Sequence, residues 1–269
     1  MSLYWIPPTD KTCRFPPVEE ALQEPNGLLA AGGDLCPARL INAYRSGIFP
    51  WYNPGEPILW WSPNPRTVIF PAHLKVSRSL RRTLKRGEFH VTLDTQFRQV
   101  MEACAAPRRV PQVPWAPDAP ERPSRKPESG TWISAEIIDA YCRLHEMGVA
   151  HSVEVWKGYE LVGGVYGIAL GQVFFGESMF SRVTDASKVA LVHLARQLER
   201  WRYTVIDGQV SSPHLYTLGA EDISRAAFIT LLRGAPRGPF GPPGAWQLDA
   251  DLNLKTSVGI YCERLICRI

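Results

Sequence analysis

Residues 206–220, IDGQVSSPHLYTLGA, carry the first residue types capable of chemistry. Asp207 and Gln209 close an apolar strand candidate, YTVID, before the chain leaves regular structure. Residues i and i+2 of a strand share a face, so a carboxylate and a carboxamide are predicted to point together into one cleft. One accepts hydrogen bonds and the other donates or accepts them. Upstream, FFGESMFSR sets Glu177 in a Gly-Glu-Ser turn between apolar strands. Together these stretches mark an enzyme. The plain structural alternatives are that Asp207 caps the next turn and that Glu177 pairs with Arg182.

The elements that must position these groups follow from periodicity. In PARLINAYRSG, Pro37 suits a first helical turn, Leu40, Ile41, Tyr44 and Ile48 recur at helical spacing, and Gly47 can end the helix. Cys36 stands where Ser, Thr or Asp would cap better. RTVIFP and FHVTLD read as strands, VSRSLRRTLKRG as a basic helix or turn, and FRQVMEAC as a helix with Phe97, Val100, Met101 and Cys104 on one face. Ser134 is a candidate N-cap for a helix burying Ile137, Ile138, Tyr141 and Leu144 and stopping at Gly148. HSVEVW, LVGGVYGIAL and QVFFGESMF form three strands whose tight turns predict antiparallel pairing. ASKVALVHLARQLERW is an amphipathic helix, YTVID a strand and ISRAAFITLLR a final helix.

The expected fold is α/β of the α+β type. A small aromatic- and Pro-rich domain (1–70) precedes an acyltransferase-like domain (71–233) of N-acetyltransferase type, an analogy of fold alone. Residues 106–129 are expected to be an extended, mobile loop, and 234–269 a linker and tail of unassigned role ending in the strand-like VGIYCERLICRI.

At 269 residues the chain can bury a substantial core. Hydrophobic content of 45% with 21% charged is ordinary for a soluble protein. No signal peptide and no bilayer-spanning segment is read, so a cytoplasmic location is expected. The six cysteines (Cys13, Cys36, Cys104, Cys142, Cys262, Cys267) form no C-x-x-C pair, and no metal is expected. The formal charge of +4 is modest but uneven, because the 75–90 stretch concentrates Lys75, Arg78, Arg81, Arg82, Lys85 and Arg86 with no acid until Glu88. Such a stripe suits a phosphate backbone or, equally, a solvated helix face. Trp51, Tyr52, Trp60 and Trp61, held among prolines, make either a stapled small domain or a platform for stacking bases.

In chain order, EPNGLLAAGGDL, GIFPWYNPGEPILWWSPNPR, GTWIS, HSVEVW, ELVGGVYG, FFGESMFSR, ASKVAL and SPHLYTLGA resemble the leucyl/phenylalanyl-tRNA–protein transferase family over roughly residues 15–233. Two features depart from that pattern: the 106–129 stretch is longer than usual, and Gly208 stands where cysteine is common. The resemblance implies a bacterial cytosolic enzyme that moves leucine or phenylalanine, and methionine less well, from charged tRNA to the α-amino group of proteins beginning with Lys or Arg. The product would be marked for degradation through the N-degron pathway. No metal, ATP or other cofactor is implied, and no membrane partner.

An aminoacyl ester is already activated, so the catalyst needs positioning, a neutral amine and oxyanion stabilisation. Asp207 is the candidate to orient the amine and accept its proton. Gln209 would hold the amine or the ester carbonyl, and Glu177 would meet the cationic N-terminus. Carried over from the family, Val165, Met179, Leu194, Leu198 and Ile206 would line an apolar amino-acid pocket, though each also suits plain core. Trp51 and Trp132 would lie near the terminal adenosine of the tRNA, with Trp132 as a simple core residue the alternative. The basic run would then hold acceptor-stem phosphates. Two rivals remain open: a coenzyme-A-dependent N-acyltransferase, disfavoured because SRVTDASK lacks glycine, and a tRNA-binding adaptor with a decayed site.

Overall fold

The computed structural model describes residues 3–106, 131–234 and 244–252. The expectations for 107–129, for the linker after Gly234 and for VGIYCERLICRI therefore lie outside the described residues.

Four short strands make a small sheet: β1 (Tyr4–Ile6), β2 (Leu28–Gly32), β3 (Phe49–Pro50) and β4 (Leu59–Trp61), in the order β1-β2-β4-β3. Sequence periodicity is blind to them, since two to five residues contain too few alternations to read. Trp60 is buried, and its indole N–H finds the acceptor that burial demands in the Gly32 carbonyl, 2.9 Å away. Helix α1 (Pro37–Arg45) begins on Pro37 as expected, and Cys36 indeed contributes no side-chain cap. Leu40, Ala43 and Tyr44 turn inward, and Gly47 ends the helical segment at φ +74°.

The larger sheet contains β5 (Arg66–Ile69), β6 (His90–Leu93), β7 (Ala150–Lys157), β8 (Glu160–Leu170), β9 (Val173–Ser181), β10 (Val205–Gln209) and β11 (Glu221–Ile223). Its order is β11-β5-β10-β9-β8-β7-β6. β5, which precedes the division expected after residue 70, pairs antiparallel with β10 inside this sheet. The antiparallel meander β7-β8-β9 matches the tight-turn expectation. β10 returns parallel to β9, a connection that needs a crossover, and α5 (Ala186–Arg200) supplies it.

Among the described residues six other α-helices complete the fold: α1, α2 (Arg78–Arg86), α3 (Phe97–Ala105), α4 (Ala135–Glu146), α6 (Pro213–Thr217) and α7 (Arg225–Gly234). Ser77 and Ser134 cap α2 and α4 by accepting from the Leu80 and Ile137 N–H groups. One continuous core joins the small sheet to α1, α3, α4 and α7 on one face of the large sheet. A second core packs α5 and Leu80 of α2 on the other face. No helix among the described residues is long and apolar enough to cross a membrane.

Part of the C-terminal tail is packed against the body. Trp246 is 2% exposed and stacks on His151 with centroids 3.7 Å apart. Its backbone N–H donates to Asp94 Oδ2, and the Asp249 N–H donates to Gln197 Oε1 of α5. Arg200 then pairs with Asp249 and Asp251, so this short segment is strapped onto α5.

Candidate active site

Two β-bulges build the site. Between β8 and β9 the register passes from Tyr166↔Ser178 to Gly167↔Gly176, which leaves Glu177 as the extra residue. Between β10 and β5 it passes from Asp207↔Val68 to Gln209↔Thr67, which leaves Gly208 unpaired. A bulge re-aims the side chains beside it. The β9–β10 pairing itself ends at Phe175↔Asp207, so Glu177 and Gln209 lie just past the point where the two parallel strands stop pairing.

The simple i, i+2 expectation for Asp207 and Gln209 is corrected by this geometry. With Gly208 bulged and Gln209 at φ +64°, the two side chains engage different partners. Asp207 is fully buried and held by Arg66 at two points, Nε to Oδ1 at 2.8 Å and Nη2 to Oδ2 at 2.6 Å. Its Oδ1 also accepts the Gln209 backbone N–H at 2.8 Å. Those bonds occupy the carboxylate, so a substrate amine could reach it only by breaking the ion pair. The turn-capping alternative describes its Gln209 contact, and Arg66 adds the ion pair.

Gln209 instead donates from Nε2 to Glu177 Oε1 at 2.7 Å. Tyr141 of α4 donates to Glu177 Oε2 at 3.2 Å, and its hydroxyl lies 2.5 Å from that of Tyr44 of α1. Burial, and next the Glu177 charge, push both phenols well above their ordinary range, so they remain protonated donors. Glu177 is partly exposed at its surface, yet desolvation raises its carboxyl from 4.5 to about 7. The tyrosine and Gln209 hydrogen bonds act in the opposite sense, while the Asp207 charge adds to the rise. The alternative partner for Glu177 is otherwise engaged: Arg182 donates to the Leu161 carbonyl and stands over the Phe180 ring.

The five expected pocket residues gather on the α5 side of the sheet. Val165 and Met179 are direct register partners, and Leu194, Leu198 and Ile206 join the same cluster. Val165, Leu194, Leu198 and Ile206 are almost fully buried, and Met179 alone is partly exposed. Burying a leucine is worth about 1.5–3 kcal/mol, which by itself accounts for Leu198 as core. Bulged Gly208 sits where a Cβ would come within 2.8 Å of Leu215 Cδ1, the movable end of a side chain.

Trp51 is 45% exposed and lies tilted against Trp61, whose indole N–H donates to the Trp51 carbonyl. Trp132 is partly buried against the first core, just ahead of α4. All six basic side chains from Lys75 to Arg86 are exposed, on α2 or just before it, while Leu80 anchors the helix inward. Among the described residues no group of three or more His, Cys, Asp or Glu side chains could hold a metal ion.

Sequence reasoning missed Arg66, Tyr44 and Tyr141 as site residues. An arginine heading an otherwise apolar strand was the available signal, because a buried guanidinium requires a partner. The tyrosines were legible only as inward-facing helical positions; nothing local tells that their hydroxyls meet.

A mixed sheet in which two parallel strands part beside a carboxylate of raised pKa marks an α/β protein with an accessory N-terminal sheet and a group suited to proton transfer. Two family models match the chain in part: the leucyl/phenylalanyl-tRNA protein transferase N-terminal domain at residues 33–64 and the leucyl/phenylalanyl-tRNA protein transferase at 68–233. Curated relatives with that name agree. The Nitrosomonas europaea protein is 59% identical over 87% of this chain and 92% of its own length. The Cellvibrio japonicus protein is 53% identical over 92% and 97%, and the Azoarcus protein 56% over 90% and 94%. The chain belongs to the leucyl/phenylalanyl-tRNA–protein transferase family, as an aminoacyltransferase.

Proposed function

We propose that this enzyme transfers Leu or Phe, and Met less well, from aminoacyl-tRNA to the α-amino group of proteins with N-terminal Lys or Arg. In the bacterial cytoplasm this would mark them for N-degron degradation. The observation that carries the chemistry is Glu177, raised to about 7 and hydrogen-bonded to Gln209 where β9 and β10 separate. An α-amino group titrates near 7.7–8, so the two are matched for proton transfer at neutral pH.

In this reading the amine nitrogen attacks the ester carbonyl carbon and its proton passes to Glu177. The tetrahedral intermediate collapses by expelling the ribose oxygen of the tRNA, which takes up that proton. The remaining amide hydrogen and the carbonyl of Gln209 orient the amine or the ester. Asp207 acts through Arg66 and the Gln209 backbone, as a positioning residue. Because the ester is already activated, the reaction calls for no metal or cofactor. Met179 and Val165 would admit the apolar side chain, Trp51 and Trp132 would stack on the terminal adenosine, and the α2 cations would hold acceptor-stem phosphates.

Against a coenzyme-A-dependent alternative stands Asp185 at the start of α5, where it accepts from Thr83 and Lys188. A carboxylate there opposes a diphosphate. The decisive experiment is transfer of labelled leucine from leucyl-tRNA to a peptide beginning with Arg, beside one beginning with Ala. Incorporation into the Arg peptide alone is expected; incorporation into neither, by folded protein, overturns the reading.

A further inference from the structure

Two cysteines that make no contact with the candidate active-site residues named above lie together in the small domain. Cys13 Sγ and Cys36 Sγ are 4.0 Å apart, both thiols are free, and both residues are partly exposed. Cys13 belongs to the segment before β2 that is bonded to α1, and Cys36 is the N-cap of that helix. Their approach is held from both sides. Asn42 of α1 donates to the Cys13 carbonyl at 2.6 Å, and Arg39 pairs with Asp10 while its Nε bonds Asp34. Asp34 in turn accepts the Cys36 N–H. The backbone on both sides of the sulfur pair is thus fixed by contacts that do not involve sulfur.

We propose that Cys13 and Cys36 form a peroxide-responsive disulfide that staples the 10–15 segment to α1. The separation must shrink from 4.0 Å to the roughly 2.05 Å of a disulfide, so the two sulfurs have to close by about 2 Å. One thiolate attacks the O–O bond of hydrogen peroxide, giving a sulfenic acid and expelling hydroxide, which leaves as water. The second thiol displaces the sulfenic hydroxyl, forming the S–S bond and releasing a second water. Two thiols thus lose two hydrogens and one peroxide becomes two waters; a dithiol reductant reverses the change.

Burial pushes the Cys36 thiol up and the neighbouring Asp34 adds to it, so the thiolate is scarce at neutral pH and formation should quicken in mild alkali. The staple closes a loop holding β2 and Phe15, whose ring packs edge-on against buried Trp60. Restricting the unfolded chain across such a loop stabilises the fold.

The test treats the full chain with hydrogen peroxide, then maps non-reduced peptides by mass and follows thermal unfolding. The expected results are a peptide pair linked through Cys13 and Cys36 at a mass two hydrogens below their sum, and an unfolding midpoint raised by several degrees and restored by dithiothreitol. Cys13→Ser and Cys36→Ser should each abolish both changes and leave transfer activity in reductant intact. Peroxide adding only oxygen to either cysteine, a link to another cysteine or between two chains, or a 13–36 link without a rise in the midpoint would each overturn the proposal.

Discussion

Arg66 and Asp207, 141 residues apart in the chain, meet as a buried two-point ion pair that ties the strand entering the large sheet to the strand ending at the site. Arg66 also donates to the Gly47 carbonyl at the end of α1, and its guanidinium lies 4.8 Å from the Phe49 and Phe228 ring centroids. The pair therefore links the small domain, the large sheet and α7. Its value lies less in net attraction, which desolvation offsets, than in the cost of leaving one partner alone.

Arg66→Ala should consequently cost about 3–5 kcal/mol, or roughly 6–20 °C in melting temperature for a chain of this size. The double change Arg66→Met with Asp207→Leu should melt higher than Arg66→Ala, because no charge is stranded, yet transfer should stay low because Gln209 loses its anchor. Circular dichroism melts and single-turnover transfer separate the two effects.

The pH profile should follow Glu177. As the proposed base it must be ionised, so kcat/KM should climb through about pH 7, and Glu177→Gln should remove that limb and most of the activity. Linkage gives a second, independent readout. The folded pKa of about 7 is above the ordinary 4.5, so the protonated form contributes stability that is full below 4.5 and lost as pH rises through 7. Glu177→Gln should therefore stabilise the protein relative to wild type above pH 7 and change little near pH 4.5, measured as unfolding midpoints across pH.

The α2 cations should act as point charges on phosphate. Arg78→Ala, Arg81→Ala and Lys85→Ala together should weaken donor tRNA binding and flatten its dependence on log salt by about 0.7–0.9 for each phosphate no longer neutralised. All three side chains are exposed, so the melting temperature should hold. An unchanged salt slope would remove α2 from the tRNA path.

Trp51 is exposed although its neighbours are packed, which suits a stacking surface. Its replacement by alanine should weaken use of aminoacyl-tRNA by about 1–3 kcal/mol, roughly 5- to 150-fold, without altering a melt. A large drop in melting temperature with unchanged donor KM would assign it to structure instead.

Trp246 should be worth about 3–5 kcal/mol to the fold, the usual cost of deleting a buried large aromatic. Trp246→Ala should lower the melting temperature and expose Asp94 and His151, while Arg200→Ala should loosen the same segment more mildly. Limited proteolysis around residue 244 would report the release directly.

Much of this was readable before folding. Helices α1, α3, α4, α5 and α7 are legible from 3.6-residue spacing, α2 only as a basic helix or turn, the β7-β8-β9 meander by its turns, and the family by long motifs in order. These are local properties, set by backbone and side-chain preferences within a few residues. The amino-acid sequence likewise determined that Glu177, Asp207 and Gln209 were the groups to watch.

What each of them does depended on neighbours from far along the chain. Only the tertiary structure decides that Asp207 is neutralised by Arg66, that two bulges turn Glu177 and Gln209 toward each other, and that Tyr44 and Tyr141 reach Glu177 from two different helices. A carboxylate's pKa is set by desolvation and by charges within a few ångströms, and those are assembled only when strands from both ends of the chain pair. Spacing could name the candidate groups; burial and register decided that Asp207 is closed off while Glu177 keeps partial exposure.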